Sequence, residues 1–351
     1  MRSSLVNRIP VGILGATGTV GQKFIVLLQD HPYFEIAELV ASEKSAGQRY
    51  GDIVKWKQDV PVPASVATMK IKTTEDALSA KILFSGMDSS VAGPAETAYA
   101  EKGHVVISNS KNHRMDADVP LVIPEINADH LELVRKQKHS GAIITNSNCS
   151  TMFLAMTLAP LQAAFGIEAV HVTTMQAISG AGYPGVPSLD ILGNVIPYIG
   201  DEEEKMETEP QKILGTLKNG GIEPAPFVVS AQCNRVAVVD GHTETLSIKF
   251  REKPSVNDVK RVLAGFSGLP QERKLPFAPV HPIIVTEQQD HPQPARDVWL
   301  ERGMATIVGR IRPCPILDMK MVILGHNTVR GAAGAAILNG ETYVELGYLE
   351  S

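Results

Sequence analysis

A glycine-rich segment near the N-terminus constrains the fold of this chain more than any other feature. The segment GATGTVG runs from Gly15 to Gly21, after the apolar residues 10–14 and before a stretch with helical apolar spacing. Glycines between a strand and a helix allow backbone N–H groups to approach a pyrophosphate at the helix N-terminus. The segment therefore predicts a dinucleotide-binding loop, although a tight turn without a ligand has the same local pattern.

Hydrophobic runs and helix-compatible stretches alternate through the first 148 residues. Strand-like runs at residues 36–41, 81–85 and 104–108 follow the first strand, and we expect the sheet to end near Asn146. This alternation predicts an α/β fold with a parallel, doubly wound, Rossmann-type sheet over residues 1–148.

The pattern changes after residue 148. Residues 150–165 predict one helix, while residues 170–177 and 227–250 predict longer strands, the latter a pair joined by a turn at Asp240-Gly241. The acidic residues 201–204 indicate a solvated helix start. We expect a second α/β domain over residues 149–326. A Gly/Ala-rich helix in residues 327–351 should return to the first domain.

Composition limits the classes of protein to which the chain can belong. Its 351 residues include 33 Lys and Arg against 38 Asp and Glu, a net charge of −5, and 44% are hydrophobic. These values argue against disorder and against nucleic-acid binding. The three cysteines form no CxxC pair, so neither a metal site nor a disulfide is expected. No signal-peptide core or bilayer-spanning run is visible, which predicts a cytoplasmic protein without a membrane partner.

The residues after the second predicted strand bear on the choice of cofactor. In folds that use NAD, an acid about twenty residues after the glycine loop binds the ribose hydroxyls. Ser42, Glu43, Lys44 and Ser45 follow the strand here. Two hydroxyls and a lysine suit a 2′-phosphate better than a free diol. The sequence therefore favours NADP, while Glu43 leaves the use of NAD open.

Cys149 stands in the segment NSNCST, where a predicted strand meets the apolar helix. A helix N-terminus lowers the pKa of a thiol and supplies backbone N–H groups for an oxyanion. Asn148 can add a further donor. We therefore predict that Cys149 is a nucleophile, with a cysteine that merely lies near a helix cap as the alternative. Cys233 is expected to be a small buried hydrophobe.

Two residues near the predicted turn could serve such a nucleophile. His242 begins a strand face that carries Leu246 and Ile248, which gives a partly buried imidazole suited to proton transfer. Arg235 lies among apolar residues, where a guanidinium usually binds an anion such as a carboxylate. Bringing both to one site requires the chain to bend between them. A structural histidine at a hairpin is the alternative.

Together these segments resemble the aspartate-β-semialdehyde dehydrogenase family, in its archaeal and fungal branch. The resemblance runs essentially from end to end, through the ordered motifs GATGTVGQKF, ASEKSAG, SNSKNHR, DVPLVIPEIN, SNCST, QAISGAG, EPQKILG, CNRVAVVDGHT and NTVRGAAG. It implies a Rossmann-type NADP-binding domain and an α/β catalytic and dimerisation domain like that of glyceraldehyde-3-phosphate dehydrogenase. It also implies a homodimer or homotetramer.

The reaction that the resemblance implies is the NADPH-dependent reductive dephosphorylation of 4-phospho-L-aspartate to L-aspartate 4-semialdehyde, reversible with inorganic phosphate. This is a step towards lysine, threonine and methionine. It implies a thioester on the cysteine, reduction by hydride, and protonation by the histidine as the thiol leaves.

The resemblance also assigns roles to residues of this sequence. Cys149 matches the nucleophile, His242 the acid–base and Gln176 the residue that positions the substrate. Arg235 matches the ligand of the α-carboxylate and Glu209 that of the amino group, while Lys212 and Arg114 match the phosphate ligands. The matching cofactor residues are Gly15, Thr17, Gly18, Thr19, Val20, Ser42, Ser45, Ser85, Gly180 and Asn327.

Two other functions stay open on the sequence. Malonyl-CoA reductase shares the fold, the cysteine, the histidine and NADP, so only the amino-group ligand Glu209 would separate the two. A non-catalytic NADP-binding sensor is the alternative of a different class, and the intact set of Cys149, His242, Arg235 and Lys212 disfavours it. The GCYPT pattern of N-acetyl-γ-glutamyl-phosphate reductase is missing.

Overall fold

The structure is a computed structural model that describes residues 8–349, and its strands form two six-stranded sheets and one small hairpin. The strands are β1 (Ile9–Leu14), β2 (Phe34–Val40), β3 (Ile71–Lys72), β4 (Ile82–Ser85), β5 (Val105–Ser108), β6 (Ala142–Thr145), β7 (Ile167–Gln176), β8 (Thr216–Lys218), β9 (Gly221–Glu223), β10 (Val228–Arg235), β11 (His242–Phe250), β12 (Ile283–Val285), β13 (Thr306–Pro313) and β14 (Met319–Gly325).

Helices of very different length connect these strands. They are α1 (Thr19–Leu27), α2 (Tyr50–Ile53), α3 (Ala64–Ala67), α4 (Ser89–Glu101), α5 (Pro124–Asn127), α6 (Cys149–Phe165), α7 (Ser188–Ile191), α8 (Glu202–Ile213), α9 (Val256–Ala264), α10 (Leu269–Arg273), α11 (Pro294–Asp297) and α12 (Gly334–Glu345). Short 3-10 helices span Glu43–Ser45, Ala128–Lys136, Ile178–Ala181 and Leu300–Gly303, and a π-helix spans Val329–Ala333. No helix of residues 8–349 is long and apolar enough to cross a bilayer.

The first sheet is parallel throughout, with the strand order β3-β2-β1-β4-β5-β6. Leu14 pairs with Val40 on one side and with Ser85 on the other, so the carboxyl ends of three strands lie level. The chain reverses its direction of travel across the sheet between β1 and β4, which is where such folds form a ligand crevice. The predicted Rossmann-type sheet is confirmed.

The second sheet is mixed, with the order β10-β7-β11-β14-β13-β12. The predicted hairpin between β10 and β11 is wrong, because β7 lies between them, parallel to β10 and antiparallel to β11. The chain does turn at Asp240-Gly241, with Gly241 at φ +98°. This turn belongs to a crossover at one end of β7, and a local turn pattern does not reveal which strand will fill the gap.

Helix α6 is the central helix of the molecule. It begins one residue earlier than predicted, and nearly all of its side chains are buried, from Ser150 to Leu161. An apolar surface on every side of a helix requires packing on every side. Helix α6 packs against the second sheet and against the C-terminal π-helix.

The C-terminal segment returns to the first sheet, as predicted. Gly340 of α12 lies so close to Phe84 of β4 that a Cβ there would be 3.0 Å from the ring. Small residues in α12 therefore allow the helix to approach the sheet closely. The division of the chain into domains at residue 148 stays a prediction.

Candidate active site

A crevice of about 1040 Å³ opens at the carboxyl ends of β1, β2 and β4. The glycine loop and the residues that follow β2 form two of its walls. Its lining includes Gly15, Thr17, Gly18, Thr19, Val20, Ser42, Glu43, Lys44 and Ser45. Doubly wound sheets bind dinucleotides in such crevices.

Three glycines shape the loop into a cradle. Gly15 has φ +74°, a conformation that favours glycine. A Cβ on Gly21 would lie 2.2 Å from the carbonyl oxygen of Gly15, so α1 can pack against the loop only with glycine there. Gly18 immediately precedes α1 and places no side chain over its N-terminus. These residues fit a dinucleotide, whose pyrophosphate would meet the N–H groups that begin α1.

Two lysines of the same crevice were missed by the sequence analysis. Lys55 and Lys57 line it, and the ammonium of Lys57 lies 4.2 Å from the ring centre of Tyr183. Tyr183 also lines the crevice, from the loop that follows β7. Nothing in the local sequence distinguishes these lysines from ordinary surface lysines. They add positive charge to a site that would hold phosphate groups.

Ser85 lies outside this crevice, contrary to its predicted cofactor role. Its hydroxyl is buried and donates to Glu96 at 2.6 Å. Its backbone carbonyl oxygen accepts the backbone N–H of Asn109. The end of β4 turns this side chain towards α4, so the prediction of a cofactor contact is corrected.

Cys149 is the first residue of α6, directly after β6 and a three-residue loop. Asn148 caps the helix, because its side-chain oxygen accepts the N–H groups of Ser150 and Thr151 at 3.0 and 3.1 Å. Its backbone oxygen accepts the N–H of Met152. Asn148 thus accepts three of the first four N–H groups of α6. The fourth, that of Cys149, is not used by the cap and could bind an oxyanion.

The predicted oxyanion role of the Asn148 side chain is corrected by its partners. Its oxygen is used in the cap, and its Nδ2 donates to both carboxylate oxygens of Glu202 at 2.9 Å. Gln176 also donates to Glu202, from Nε2 at 3.1 Å. Glu202 itself is only 8% exposed, so the acidic run is not wholly a solvated helix start.

The thiol of Cys149 has a high pKa in this geometry. Burial and the negative charge of Glu202 raise the pKa of Cys149 to about 12, against the opposing charges of Arg114 and Arg235. The expected lowering of the pKa at a helix N-terminus is therefore wrong here. The backbone N–H of Ser150 at the helix N-terminus does lower the pKa of Cys149, but burial of the thiol raises the pKa by more.

His242 is fully buried and neutral. Its Nδ1 accepts the backbone N–H of Ala177 at 3.1 Å, so the neutral ring carries its proton on Nε2. Burial and the positive charge of Arg235 lower the pKa of His242 to about 3. Among residues 8–349, Nε2 has no hydrogen-bond partner. The ring thus offers one N–H donor and no basic nitrogen.

Arg235 and His242 meet at Gly180. A Cβ on Gly180 would lie 2.9 Å from Nη1 of Arg235 and 3.1 Å from Nε2 of His242. Arg235 also donates from Nη1 to the backbone oxygen of Ala177 at 2.8 Å. A bend in the chain between Arg235 and His242 was expected from the sequence. The crossover from β10 to β11 is that bend. Glycine at position 180 leaves the space beside both side chains free of a Cβ atom.

Asn327 ties the C-terminal segment to this region. Its Oδ1 accepts the backbone N–H of Gly241 at 2.8 Å, and its Nδ2 donates to Ser179 at 2.8 Å. In the π-helix that follows, a Cβ on Gly331 would lie 2.8 Å from the Cβ of Cys149. Gly331 was not predicted from the sequence, since a glycine in a small-residue stretch gives no specific signal. Irregular helical turns of this kind are frequent at functional sites.

The Arg114 guanidinium reaches the site through Glu209. Its Nη1 donates to one oxygen of Glu209 at 2.9 Å, and the other oxygen accepts the backbone N–H of Asn148 at 2.7 Å. Both side chains are buried. Within the described residues, Nε of Arg114 is buried and without a partner. Glu209, which was predicted to bind the amino group of the substrate, therefore holds Arg114 near Cys149 in this structure.

Lys212 lies on the same helix but does not present its ammonium to the site. Nζ donates to the backbone oxygens of Arg114, Asp116 and Val119 at 2.7, 2.7 and 2.9 Å. An ammonium has three N–H donors, so these bonds use all of them. The predicted phosphate contact of Lys212 is therefore corrected to a role in holding the loop that carries Arg114.

Known proteins provide an independent comparison with this geometry. The domain families "Semialdehyde dehydrogenase, NAD binding domain" and "Semialdehyde dehydrogenase, dimerisation domain" match residues 10–134 and 158–330. The aspartate-semialdehyde dehydrogenase of Methanothermobacter thermautotrophicus is 47% identical, over 96% of this chain and 99% of the relative. That of Schizosaccharomyces pombe is 49% identical, over 97% and 99%.

Solved structures agree with these relatives. The aspartate semialdehyde dehydrogenase of Candida albicans with NADP is 43% identical and has a TM-score of 0.89, over 96% of this chain and 98% of the other. Aspartate semialdehyde dehydrogenase II of Vibrio cholerae, complexed with ASA, is 26% identical with a TM-score of 0.79, over 96% and 98%. The similarity to archaeal and fungal relatives confirms the predicted branch.

Proposed function

Because the chain belongs to the aspartate-semialdehyde dehydrogenase family, we propose that it converts 4-phospho-L-aspartate to L-aspartate 4-semialdehyde, reversibly and with release of phosphate. The position of Cys149 carries this proposal. Cys149 is the first residue of a buried helix, and the positive charges of Arg114 and Arg235 act on its thiol. A biosynthetic role towards lysine, threonine and methionine and a cytoplasmic location belong to the same proposal.

NADP is the proposed cofactor, and when bound it supplies the hydride. Ser42, Lys44 and Ser45 lie on the crevice wall after β2, where they can bind a 2′-phosphate. The Candida albicans relative, solved with NADP, supports this choice. Gly15, Gly18 and the start of α1 would hold the pyrophosphate through backbone N–H groups.

Arg235 and Arg114 are the proposed anion ligands. Arg235 uses Nη1 for the backbone of Ala177, which leaves other N–H groups of its fork for the α-carboxylate of the substrate. Arg114 has an unpartnered Nε among the described residues and suits the phosphate. Glu209 holds Arg114 in place, and in this geometry an ammonium group of the substrate would have to share that carboxylate.

Cys149 performs the covalent step. Its sulfur attacks the acyl carbon, a C–S bond forms, and the C–O bond to phosphate breaks with the electron pair leaving on phosphate towards Arg114, while the departing phosphate takes up the proton of the thiol. The thioester carbon then accepts the hydride, and the oxyanion that forms is stabilised by the N–H of Cys149. Collapse of this oxyanion breaks the C–S bond and releases the aldehyde and the sulfur anion, which takes up a proton.

His242 assists this step as a hydrogen-bond donor. Its Nδ1 is bound by the N–H of Ala177, and protonation of the ring would set two N–H groups against each other. Nε2–H can therefore stabilise the developing oxyanion or the departing sulfur. We propose this donor role for His242, and the acid–base role implied by the family resemblance stays a prediction.

A second copy of the chain is the proposed partner. Apolar side chains are exposed between α6 and α8, namely Tyr183, Leu189, Leu192, Val195 and Tyr198. This segment lies within the region matched by the dimerisation-domain family. Leu189, which is 92% exposed, is a suitable position for a charge that would weaken the assembly.

A single-turnover experiment tests the proposed chemistry. The protein is mixed with aspartate semialdehyde and NADP in the absence of phosphate, and Cys149 is then analysed by peptide mass spectrometry. We expect one equivalent of reduced cofactor and an acyl group on Cys149. Added phosphate should remove the acyl group as acyl phosphate, while the reduced cofactor stays reduced. Reduction of the cofactor with an unmodified Cys149 would contradict the covalent path.

A further inference from the structure

Glu202 is a buried acid of this region that takes no part in the proposed reaction. Asp201, at φ +60°, turns the chain immediately before α8 and directs Glu202 inward. The next two acids, Glu203 and Glu204, remain exposed on the helix surface. One residue of the acidic run is thus selected by the backbone for burial.

The Glu202 carboxylate binds two side-chain amides. One is Asn148, whose Nδ2 lies 2.9 Å from both oxygens, and the other is Gln176, whose Nε2 lies 3.1 Å from one of them. Lys205 completes the set with an ion pair of 3.0 Å. These donors give both oxygens of the buried carboxylate hydrogen-bond partners.

These contacts decide which way the amides face. Because the Nδ2 of Asn148 is held by Glu202, its oxygen is fixed towards the N–H groups that begin α6. Because the Nε2 of Gln176 is held by the same carboxylate, the carbonyl oxygen of this amide points to the opposite side. A glutamine that turned over would present a donor in place of an acceptor.

We propose that Glu202 is a positioning residue that holds Asn148 and Gln176 in one orientation, so that the start of α6 and the glutamine oxygen face the substrate. The inference rests on the proposed function, because it concerns the same nucleophile. The charges of Glu202, Arg114 and Arg235 act on the Cys149 thiol, and the backbone N–H of Ser150 bonds to it. The charge of Glu202 also acts on Glu244.

The carboxylate also restrains the thiol. Its negative charge is one of the causes that raise the pKa of Cys149. Removal of this charge should therefore make the thiol ionise more readily, while loss of the two amide contacts should slow turnover. These two effects run in opposite directions, and a variant that is merely damaged would not show them together.

The test compares Glu202→Gln with Glu204→Gln, an exposed acid on the same helix that undergoes the same change of charge. Each variant is assayed for turnover with aspartate semialdehyde, NADP and phosphate. Alkylation of Cys149 by iodoacetamide is followed across a pH series by peptide mass spectrometry, so that the partly exposed Cys314 does not interfere. Thermal melting and NADP binding report on folding.

For Glu202→Gln we expect kcat to fall about 10- to 100-fold, the range for a small misplacement of reacting groups. We expect alkylation of Cys149 at a fixed pH near neutrality to become about tenfold faster, which corresponds to one pKa unit. Glu204→Gln should match the wild type in both assays. An unchanged kcat, or alkylation that is unchanged or slower, would overturn the proposal.

Two further results keep the test decisive. If Glu202→Gln does not fold, Glu202→Asp keeps the charge and shortens the side chain, and it should lower kcat with alkylation unchanged. Normal kcat in Glu202→Asp would then overturn the positioning role. If the wild type shows no turnover with aspartate semialdehyde, the proposed function fails, whereas the alkylation series still measures the action of Glu202 on the thiol.

Discussion

Lys212 donates a hydrogen bond of 2.7 Å to the backbone carbonyl oxygen of Arg114. The two residues that the sequence pairs as phosphate ligands are therefore joined to each other, one through its ammonium and the other through its main chain. The guanidinium of Arg114 is fixed separately by Glu209. Lys212 thus supports the loop that carries the anion ligand.

Substitution Lys212→Met tests this role. It leaves three carbonyl oxygens without their donor, and we expect the free energy of unfolding to fall by about 3 kcal/mol, the scale for breaking a buried charged contact. Urea unfolding measures the loss, with the exposed Lys218→Met as control. If Lys212→Met is as stable as the wild type but has a strongly raised KM for phosphate, Lys212 binds phosphate directly.

His242 gives a prediction for pH dependence. Since the pKa of His242 is lowered to about 3, the ring stays neutral through the range where an ordinary histidine titrates, near 6.5. The kcat/KM profile of the wild type should show no limb from this residue there. His242→Ala should lose about 100- to 1000-fold in kcat, the loss typical of an oxyanion donor. His242→Gln should lose less, because its amide can still donate.

A limb near the ordinary histidine pKa that is present in the wild type and missing in His242→Gln would contradict the donor role. Such a limb would show that His242 titrates and transfers a proton. A nitrogen NMR spectrum of the histidine rings provides a second reading, since a proton on Nε2 and a proton on Nδ1 give different shifts.

Glu244 makes stability depend on pH. Burial and the negative charge of Glu202 raise the pKa of Glu244, against a hydrogen bond from Ser150 that lowers it. The unfolded chain ionises this acid near its ordinary pKa, whereas the folded chain keeps it protonated. Its stabilising contribution is therefore present at low pH and is lost as pH rises towards the raised pKa.

Glu244→Gln should remove this dependence, because an amide resembles the protonated acid in shape. Relative to the wild type, the variant should gain up to about 1.4 kcal/mol of stability per pH unit above the ordinary pKa of the acid. Urea unfolding at several pH values measures the gain, with the exposed Glu252→Gln as control. A difference that does not vary with pH would show that the carboxyl is ionised in the folded chain.

Much of the fold and part of the site follow from local sequence. The glycine loop, the alternating strands and the placement of Cys149 at a helix start all rest on residues close together in the chain. The order β10-β7-β11 does not, because β7 is separated from both neighbours by long connections. Turn residues at Asp240-Gly241 specify a change of direction but not the strand that is paired afterwards.

The missed and corrected residues share a physical cause. Glu202 stands in a run of similar acids, and only the backbone turn at Asp201 decides which one is buried. Lys212 and Glu209 carry charges suited to ligands, yet tertiary packing gives them partners within the protein. The charge on the Cys149 thiol also depends on burial and on distant side chains, which no local motif encodes.

The most direct test of the proposed function is phosphate-dependent reduction of NADP by L-aspartate 4-semialdehyde, followed by the absorbance of the reduced nicotinamide. Wild-type protein should turn over only with phosphate present, and Cys149→Ala should bind NADP without turnover. Parallel arms contain NAD, and malonyl-CoA with NADPH. No turnover with the semialdehyde, together with NADPH oxidation by malonyl-CoA, would contradict the account and assign the same nucleophile to a CoA thioester.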